Sequence, residues 1–279
     1  MFEDIDKVLL ITDMDGTFLN SKKIPSEENL KAVERFQKAG GKFTIATGRA
    51  LQAVKLYFEY FNCNFPMVMF NGGMVYDFER DVSLYDSFVP DFTRDIVLDI
   101  LNKFPKLGCE ILVRSNIKIV QYNDMEEYHT RICKSNPDIV SLDEVHEPWY
   151  KVLFADTEEN IDEVQRYVEE KNFGGVDFVR SDKFFYEILP TGNSKGTAVS
   201  KLREICNLSD YTIVCVGDYD NDIEMIEYAD VGVCPSNAVE SVKRAADIVL
   251  KQSNDENAIA AVIDFIFSKI KNGGKFDGR

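Results

Sequence analysis

The sequence predicts an α/β protein: a Rossmann-like parallel-sheet core interrupted by an inserted α+β module. Three observations predict it. Short, continuous apolar runs alternate with amphipathic helical patterns at both ends of the chain, as buried parallel strands and their crossover helices do. The middle of the chain changes to closely spaced short strands and helices rich in acidic residues. Polar, glycine-containing turns follow the terminal apolar runs, and an open parallel sheet binds its ligands beyond such strand ends.

The first strand is expected at 8–12 (Val-Leu-Leu-Ile-Thr). A helix follows at 26–38, with Ser26 as N-cap, Leu30, Val33 and Phe36 marking its apolar face, and Gly40-Gly41 as its stop. Residues 42–46 read as a second strand, 50–61 as a helix and 67–70 (Met-Val-Met-Phe) as a third parallel strand. Short strands are expected near 109–113, 117–122, 150–155, 176–180 and 184–188, with helices near 91–103 and 158–171. The alternation resumes with a helix at 194–206, a buried strand at 212–216 and further elements near 222–229, 231–233, 238–245 and 248–250. The tail, 271–279, is expected to fray. The organisation suggests a core formed by 1–82 and 190–279, with a second domain, 83–189, inserted between its halves.

Composition narrows the function. The chain has 279 residues and a formal net charge of −16, which argues against nucleic acid or an anionic membrane as partner. A small anionic substrate remains compatible, because one metal ion and a few basic groups reverse the potential of a single pocket. No apolar run approaches the ~18 residues of a membrane helix. The acidic start, Met1-Phe2-Glu3-Asp4-Ile5-Asp6, lacks the basic region of a secretory signal, so a cytoplasmic protein is expected. Six cysteines without a Cys-x-x-Cys pair read as reduced thiols, several of them in apolar stretches. The two histidines, His129 and His146, show no ligand spacing to a cysteine or to each other, so neither a histidine triad nor a zinc centre is expected.

Four strand ends carry the chemistry. They are Asp13, Asp15 and Thr17 after the first strand, Thr47-Gly48-Arg49 after the second, Asn71-Gly72-Gly73 after the third, and Gly217-Asp218-Tyr219-Asp220-Asn221-Asp222 after the strand at 212–216. An aspartate can attack phosphorus, and Asp13 is the candidate nucleophile. Attack of an anion on an anion needs a cation. Mg²⁺ takes carboxylates, waters and substrate phosphate together, and Asp13 and Asp218 are candidates to share one ion. Asp15 is the candidate proton donor to the leaving oxygen. Thr47, Lys195 and Arg49 are the candidate donors to phosphate oxygens.

These motifs together resemble the haloacid dehalogenase superfamily. Asp13-Met14-Asp15-Gly16-Thr17 is similar to its first motif, Thr47-Gly48-Arg49 to its second, Lys195 to its third and Gly217-Asp218-x-x-Asn221-Asp222 to its fourth, in the family's order. Ala46-Thr47-Gly48-Arg49, Phe70-Asn71-Gly72-Gly73, Ser194-Lys195-Gly196 and Asn237-Ala238 resemble the Cof-type (IIB) branch, whose α+β cap (C2 type) occupies the position of 83–189. The resemblance implies an Mg²⁺-dependent phosphatase acting on small phosphorylated metabolites such as sugar phosphates or phosphorylated cofactors. It implies Asp13 as nucleophile and metal ligand, Asp15 as acid/base with its carbonyl on the metal, and Asp218 as metal ligand. It further implies that Asp222 supports the metal or Lys195, and that Thr47, Gly48, Arg49, Lys195 and Asn221 hold phosphate. The chain departs from the branch at Cys234-Pro235-Ser236-Asn237-Ala238, commonly Met-Gly-Asn-Ala at its end, and at Asp255-Glu256-Asn257-Ala258, often an Asp-Gly pair.

A cap that closes over the sheet edge would choose the substrate, with Arg114, Lys118, Tyr122, Trp149 and Tyr186 as candidate contacts. Two other functions fit the same motifs: a phosphomutase of the superfamily, which passes phosphoryl to a second hydroxyl, and a catalytically silent phosphometabolite-binding protein.

Overall fold

The structure is a computed structural model that describes residues 4–271, except 56 and 134. The strands in chain order are β1 (Val8–Thr12), β2 (Lys42–Ile45), β3 (Met67–Met69), β4 (Met74–Asp77), β5 (Val82–Asp86), β6 (Gly108–Val113), β7 (Ile117–Gln121), β8 (Asp138–Ile139), β9 (Trp149–Ala155), β10 (Val176–Asp182), β11 (Phe185–Pro190), β12 (Thr212–Val216), β13 (Val231–Cys234) and β14 (Ile248–Val249). The helices are α1 (Glu27–Lys38), α2 (Leu51–Lys55), α3 (Phe58–Phe61), α4 (Thr93–Lys103), α5 (Asp124–Cys133), α6 (Glu158–Lys171), α7 (Lys195–Ile205), α8 (Ile223–Tyr228), α9 (Glu240–Ala245) and α10 (Ala258–Lys271).

Two compact units result. The first comprises the chain up to Gly48, Tyr57–Tyr85, and the chain from Ser194 onward. Its five-stranded sheet runs β14-β13-β12-β1-β2 and is parallel throughout. The central pair, β1 and β12, is in register from Val8 opposite Thr212 to Thr12 opposite Val216, so both strands end at the same level. Every residue of both strands is buried, which is why each is a continuous apolar run rather than an alternating one. Leu9, Ile11, Ile213 and Cys215 pack with Ala198, Val199 and Leu202 of α7 and with Met225 of α8. Truncating a side chain such as Ile11 in so closed a layer typically costs about 2–5 kcal/mol. Helix α1 starts where Ser26 accepts a hydrogen bond from the Asn29 N–H, carries Glu27 and Glu28 in its first turn and Arg35 and Lys38 in its last, and buries Ala32, Val33 and Phe36.

The second unit comprises Asp86–Asn193 together with the short stretch that starts at Arg49. Its six-stranded sheet runs β10-β11-β9-β6-β7-β8, antiparallel except for the β7–β8 pair. Ile111, Val152, Phe154 and Ile188 form its apolar layer with Ile96, Val97 and Ile100 of α4 and Ile161 and Val164 of α6. Trp149 and Tyr186 belong to this core, Lys118 pairs with Asp138 at 2.7 Å, and Tyr122 is exposed.

Three readings of the sequence need correction. The run at 67–70 is not a member of the parallel sheet. β3 pairs antiparallel with β4 in a three-stranded sheet of order β3-β4-β5, and meets the end of β2 only by a bridge between Ala46 and Val68. The turn between β3 and β4 passes through left-handed Phe70, Asn71 and Gly72, which brings the next strand straight back. The helix expected at 50–61 is two short helices, α2 and α3. Helices α5 and α10 were not expected at all. The tail expected to fray lies outside the described residues, except Lys271, which closes α10. All six cysteines are free.

Candidate active site

Because β1 and β12 end at one level, the residues that follow them meet. Asp13 follows β1, is 6% exposed and donates its N–H to the Val216 carbonyl at 2.7 Å. Asp218 follows β12 by one glycine, and its Oδ1 accepts from Thr17 Oγ1 at 2.6 Å. Gly16 makes that approach possible. It stands at φ +85°, and a Cβ there would lie 2.3 Å from Asp218 Oδ2. Asp222 organises the same loop, its Oδ2 accepting from the N–H groups of Asp218 at 2.9 Å and Tyr219 at 3.2 Å.

Lys195 enters from the third segment. Ser194 caps α7 and delivers Lys195 into the core as the helix's first residue. Its Nζ donates to Asp13 Oδ1 at 2.5 Å and to Asp222 Oδ1 at 2.6 Å, with the whole residue 1% exposed. One ammonium thus joins the two halves of the chain, fixing one oxygen of Asp13 and leaving its Oδ2 without a donor among the described residues.

The electrostatics are those of a crowded anion site. Burial pushes the Asp13 carboxyl well above its usual range, Lys195 opposes that, and Asp222 and Asp218 add to it. Burial, then Asp222, pushes Asp218 up to about 7. Burial works against the charge on Lys195, but Asp13 and Asp222 outweigh it and hold the ammonium above its ordinary value. Asp13, Asp218 and Asp222 each offer an oxygen within 4.8 Å of the others. Three carboxylates against one ammonium form a hard-oxygen set with surplus negative charge, which fits a divalent cation. Asp222 is the least available of the three, since Lys195 and two amides engage its oxygens.

The other candidate residues are placed as follows. The Asp15 side chain is 31% exposed and pairs with Lys23 Nζ at 2.8 Å. Thr47 is buried at the end of β2, its N–H on the Val68 carbonyl at 2.9 Å and its carbonyl accepting from Asn71 N–H at 3.1 Å. Gly48 lies against Asn71, where a Cβ would come within 2.7 Å of Oδ1. Asn221 Nδ2 donates to that same Asn71 Oδ1 at 3.1 Å. Arg49 is buried and is the first residue of the second unit.

Sequence reasoning passed over Asn71 as a site residue, although its turn was noticed. It links the Thr47 loop to the Asn221 loop, and the signal in the sequence was its place at the head of Asn71-Gly72-Gly73 after an apolar run. The two segments that depart from the Cof pattern act as loop ties: Asn237 Nδ2 donates to the Gly16 carbonyl at 2.9 Å, and Asp255 accepts from the Ser21 N–H at 2.8 Å.

Known proteins resemble this chain in sequence and fold. The family model of haloacid dehalogenase-like hydrolases matches residues 10–263. The chain is 29% identical to 5-amino-6-(5-phospho-D-ribitylamino)uracil phosphatase YwtE of Bacillus subtilis, over 92% of this chain and 96% of that one. It is 25% identical to pyridoxal phosphate phosphatase YbhA of Escherichia coli, over 94% of this chain and 98% of that one. A solved haloacid dehalogenase-like hydrolase from Bacteroides thetaiotaomicron superposes with a TM-score of 0.83 at 26% identity, over 93% of this chain and 99% of that one. With four motifs in order and a match along nearly its whole length, this chain belongs to the haloacid dehalogenase-like hydrolases, as a Cof-type phosphatase.

Proposed function

We propose that the chain hydrolyses small phosphomonoesters through an aspartyl-phosphate on Asp13, with Mg²⁺ as its cation. The observation that carries this reading is Lys195 bridging Asp13 and Asp222 at 2.5 and 2.6 Å, which orients one carboxylate oxygen and leaves the other for attack. Asp13 and Asp218, with the Asp15 carbonyl, would hold the ion, which when bound offsets the repulsion between carboxylate and phosphate.

Asp13 Oδ2 attacks phosphorus, the ester P–O bond breaks, and Asp15 gives its proton to the departing oxygen. Water then gives a proton to Asp15 and attacks the acyl phosphate, which releases inorganic phosphate and restores Asp13. For this role Asp15 exchanges its contact with Lys23 for the leaving oxygen. That half-exposed pair is worth only about 0–1 kcal/mol, so the exchange is cheap. Thr47, Gly48, Asn221 and Lys195 act as phosphate donors, with Arg49 as an added cation, and Asp222 holds Lys195. We take 1–82 with 190–279 as the catalytic domain and assign substrate choice to 83–189. Relatives named for pyridoxal phosphate and for a phosphoribitylaminouracil support small phosphorylated metabolites as the substrate class.

Phosphate release across a panel of such metabolites tests the proposal. Asp13→Asn should retain the fold and lose at least about 100-fold in turnover, because losing the covalent route costs several kcal/mol. Chelation with EDTA should abolish turnover and Mg²⁺ should restore it. Turnover by Asp13→Asn near the wild-type rate, or indifferent to chelation, would refute the mechanism.

A further inference from the structure

A second cluster lies wholly within the other unit. Helix α5 packs on β6, held there by Asn123, whose Oδ1 accepts from the N–H groups of Met125 and Glu126, both at 3.0 Å, while its Nδ2 donates to the carbonyls of Lys106 at 3.2 Å and Ala155 at 2.8 Å. Gly108 leaves the room this needs: a Cβ there would stand 2.7 Å from Glu126 Cγ and 2.6 Å from Asn123 Oδ1. Glu126 and His129, three residues apart on one helix, share a face. That face turns onto β6 and meets Glu110, which is 1% exposed. The three side chains each bring a ligand atom within 4.8 Å of the others.

Glu126 is unsatisfied, and Glu110 Oε1 and His129 Nδ1 have only their ion pair with each other. Both carboxyl oxygens of Glu126, at 0% exposure, have no hydrogen-bond partner among the described residues. Glu110 Oε1 and His129 Nδ1 lie 3.1 Å apart, yet neither makes a hydrogen bond there. The ring is fixed from outside, its Nε2 facing Cys133 Sγ at 3.3 Å and its plane against Phe185 at 4.7 Å between centroids. Cys133 is one helical turn from His129 and meets it by a hydrogen bond. Buried polar groups in native structures almost always find partners, so two orphaned carboxyl oxygens beside a buried ion pair call for one. A proton on Glu126, donated to Glu110, would engage one of its oxygens and leave the other open. A cation would engage all of these atoms together.

We propose that Glu110, Glu126 and His129 form a binding site for a divalent transition-metal ion, with Zn²⁺ as the best-suited ion. The donor set is one imidazole nitrogen and carboxylate oxygens, the mixed nitrogen–oxygen chemistry of three-ligand zinc sites. Mg²⁺ and Ca²⁺ prefer oxygen alone. A glutamate and a histidine three apart on a helix also supply metal ligands in di-iron carboxylate bundles. The sequence did not reveal the site because a search for Cys and His spacings overlooks a set dominated by glutamate.

Equilibrium dialysis of the full chain tests it. The protein is stripped with chelator, then equilibrated with micromolar Zn²⁺ in millimolar Mg²⁺, which competes for the oxygen-rich cluster of the first unit, and zinc is counted per chain by mass spectrometry. Wild type should hold one zinc and melt at a higher temperature with it. Glu126→Gln and His129→Gln should each weaken zinc binding by at least about tenfold and lose the melting shift, with unchanged far-UV circular dichroism. Asp218→Asn should keep the zinc. If either variant fails to fold, the other carries the test. Wild type without zinc, variants that bind it as wild type does, or loss of zinc on Asp218→Asn would overturn the proposal.

Discussion

The two buried acidic clusters differ in how their charge is met. In the first unit, each carboxylate has donors built around it: Lys195 on Asp13 and Asp222, Thr17 on Asp218, and two backbone amides on Asp222. In the second, Glu126 has none among the described residues. The second unit can balance a buried charge when it does so locally. Lys151 and Glu187 pair at 2.8 Å, each 3% exposed, with Ser181 Oγ adding a second contact to Glu187 at 2.8 Å. The difference teaches that burial alone does not mark a functional carboxylate. What marks it is an oxygen held in place beside another left open, as at Asp13.

The largest test of that contrast is Lys195→Met. It removes the single cation from three carboxylates, so phosphate release should fall about 100- to 1,000-fold. Removing one partner from a buried ion pair also costs about 3–5 kcal/mol, which urea denaturation would measure. Activity lost without any loss of stability would mean that Lys195 does not hold the cluster together. Lys151→Met is the counterpart in the second unit. It should cost a comparable 3–5 kcal/mol, approximately, by stranding Glu187. The double variant Lys151→Met/Glu187→Leu should recover most of that loss, because an apolar pair of similar volume replaces the ion pair at little net cost. A double variant as unstable as the single one would show that the pair does more than neutralise itself.

The same contrast explains what the sequence disclosed. Strands β1 and β12 were legible because five consecutive buried residues leave no polar position to confuse the pattern. Helix α1 was legible to the residue at its start because Ser26 is a cap with a mechanism. Part of the site followed from these, since the polar turns after β1 and β12 end at one level of one sheet edge. Helix α5 was illegible for the reason that makes it interesting: its fully buried residue is Glu126, so no apolar face announces it. Helix α10 was missed for the opposite reason. Ala258-Ile259-Ala260-Ala261-Val262-Ile263 is so continuously apolar that periodicity does not separate helix from strand. The pairing of β3 was hidden because a short apolar run does not name its partner, and the left-handed turn that sends β4 back beside it involves Phe70, a residue that rarely adopts that conformation.

A smaller effect separates the units by pH. Tyr186 is 4% exposed in the second unit's core, stacked on Phe178 at 5.7 Å. Burial, with Glu169 adding to it, pushes its phenol up to about 12 from an ordinary value near 10. Between those values the unfolded chain loses its proton while the folded chain keeps it. The unfolded state then binds fewer protons, so stability is full below pH ~10 and falls as pH rises towards ~12. The loss should be on the order of 2 kcal/mol, and Tyr186→Phe should remove it. Amide hydrogen exchange as a function of pH, corrected for the intrinsic rate, locates the effect: protection should weaken in β9, β10 and β11 of wild type and hold in Tyr186→Phe. Equal alkaline loosening in β1 and β12, or a Tyr186→Phe protein that loosens as wild type does, would assign the alkaline limit to groups other than this phenol.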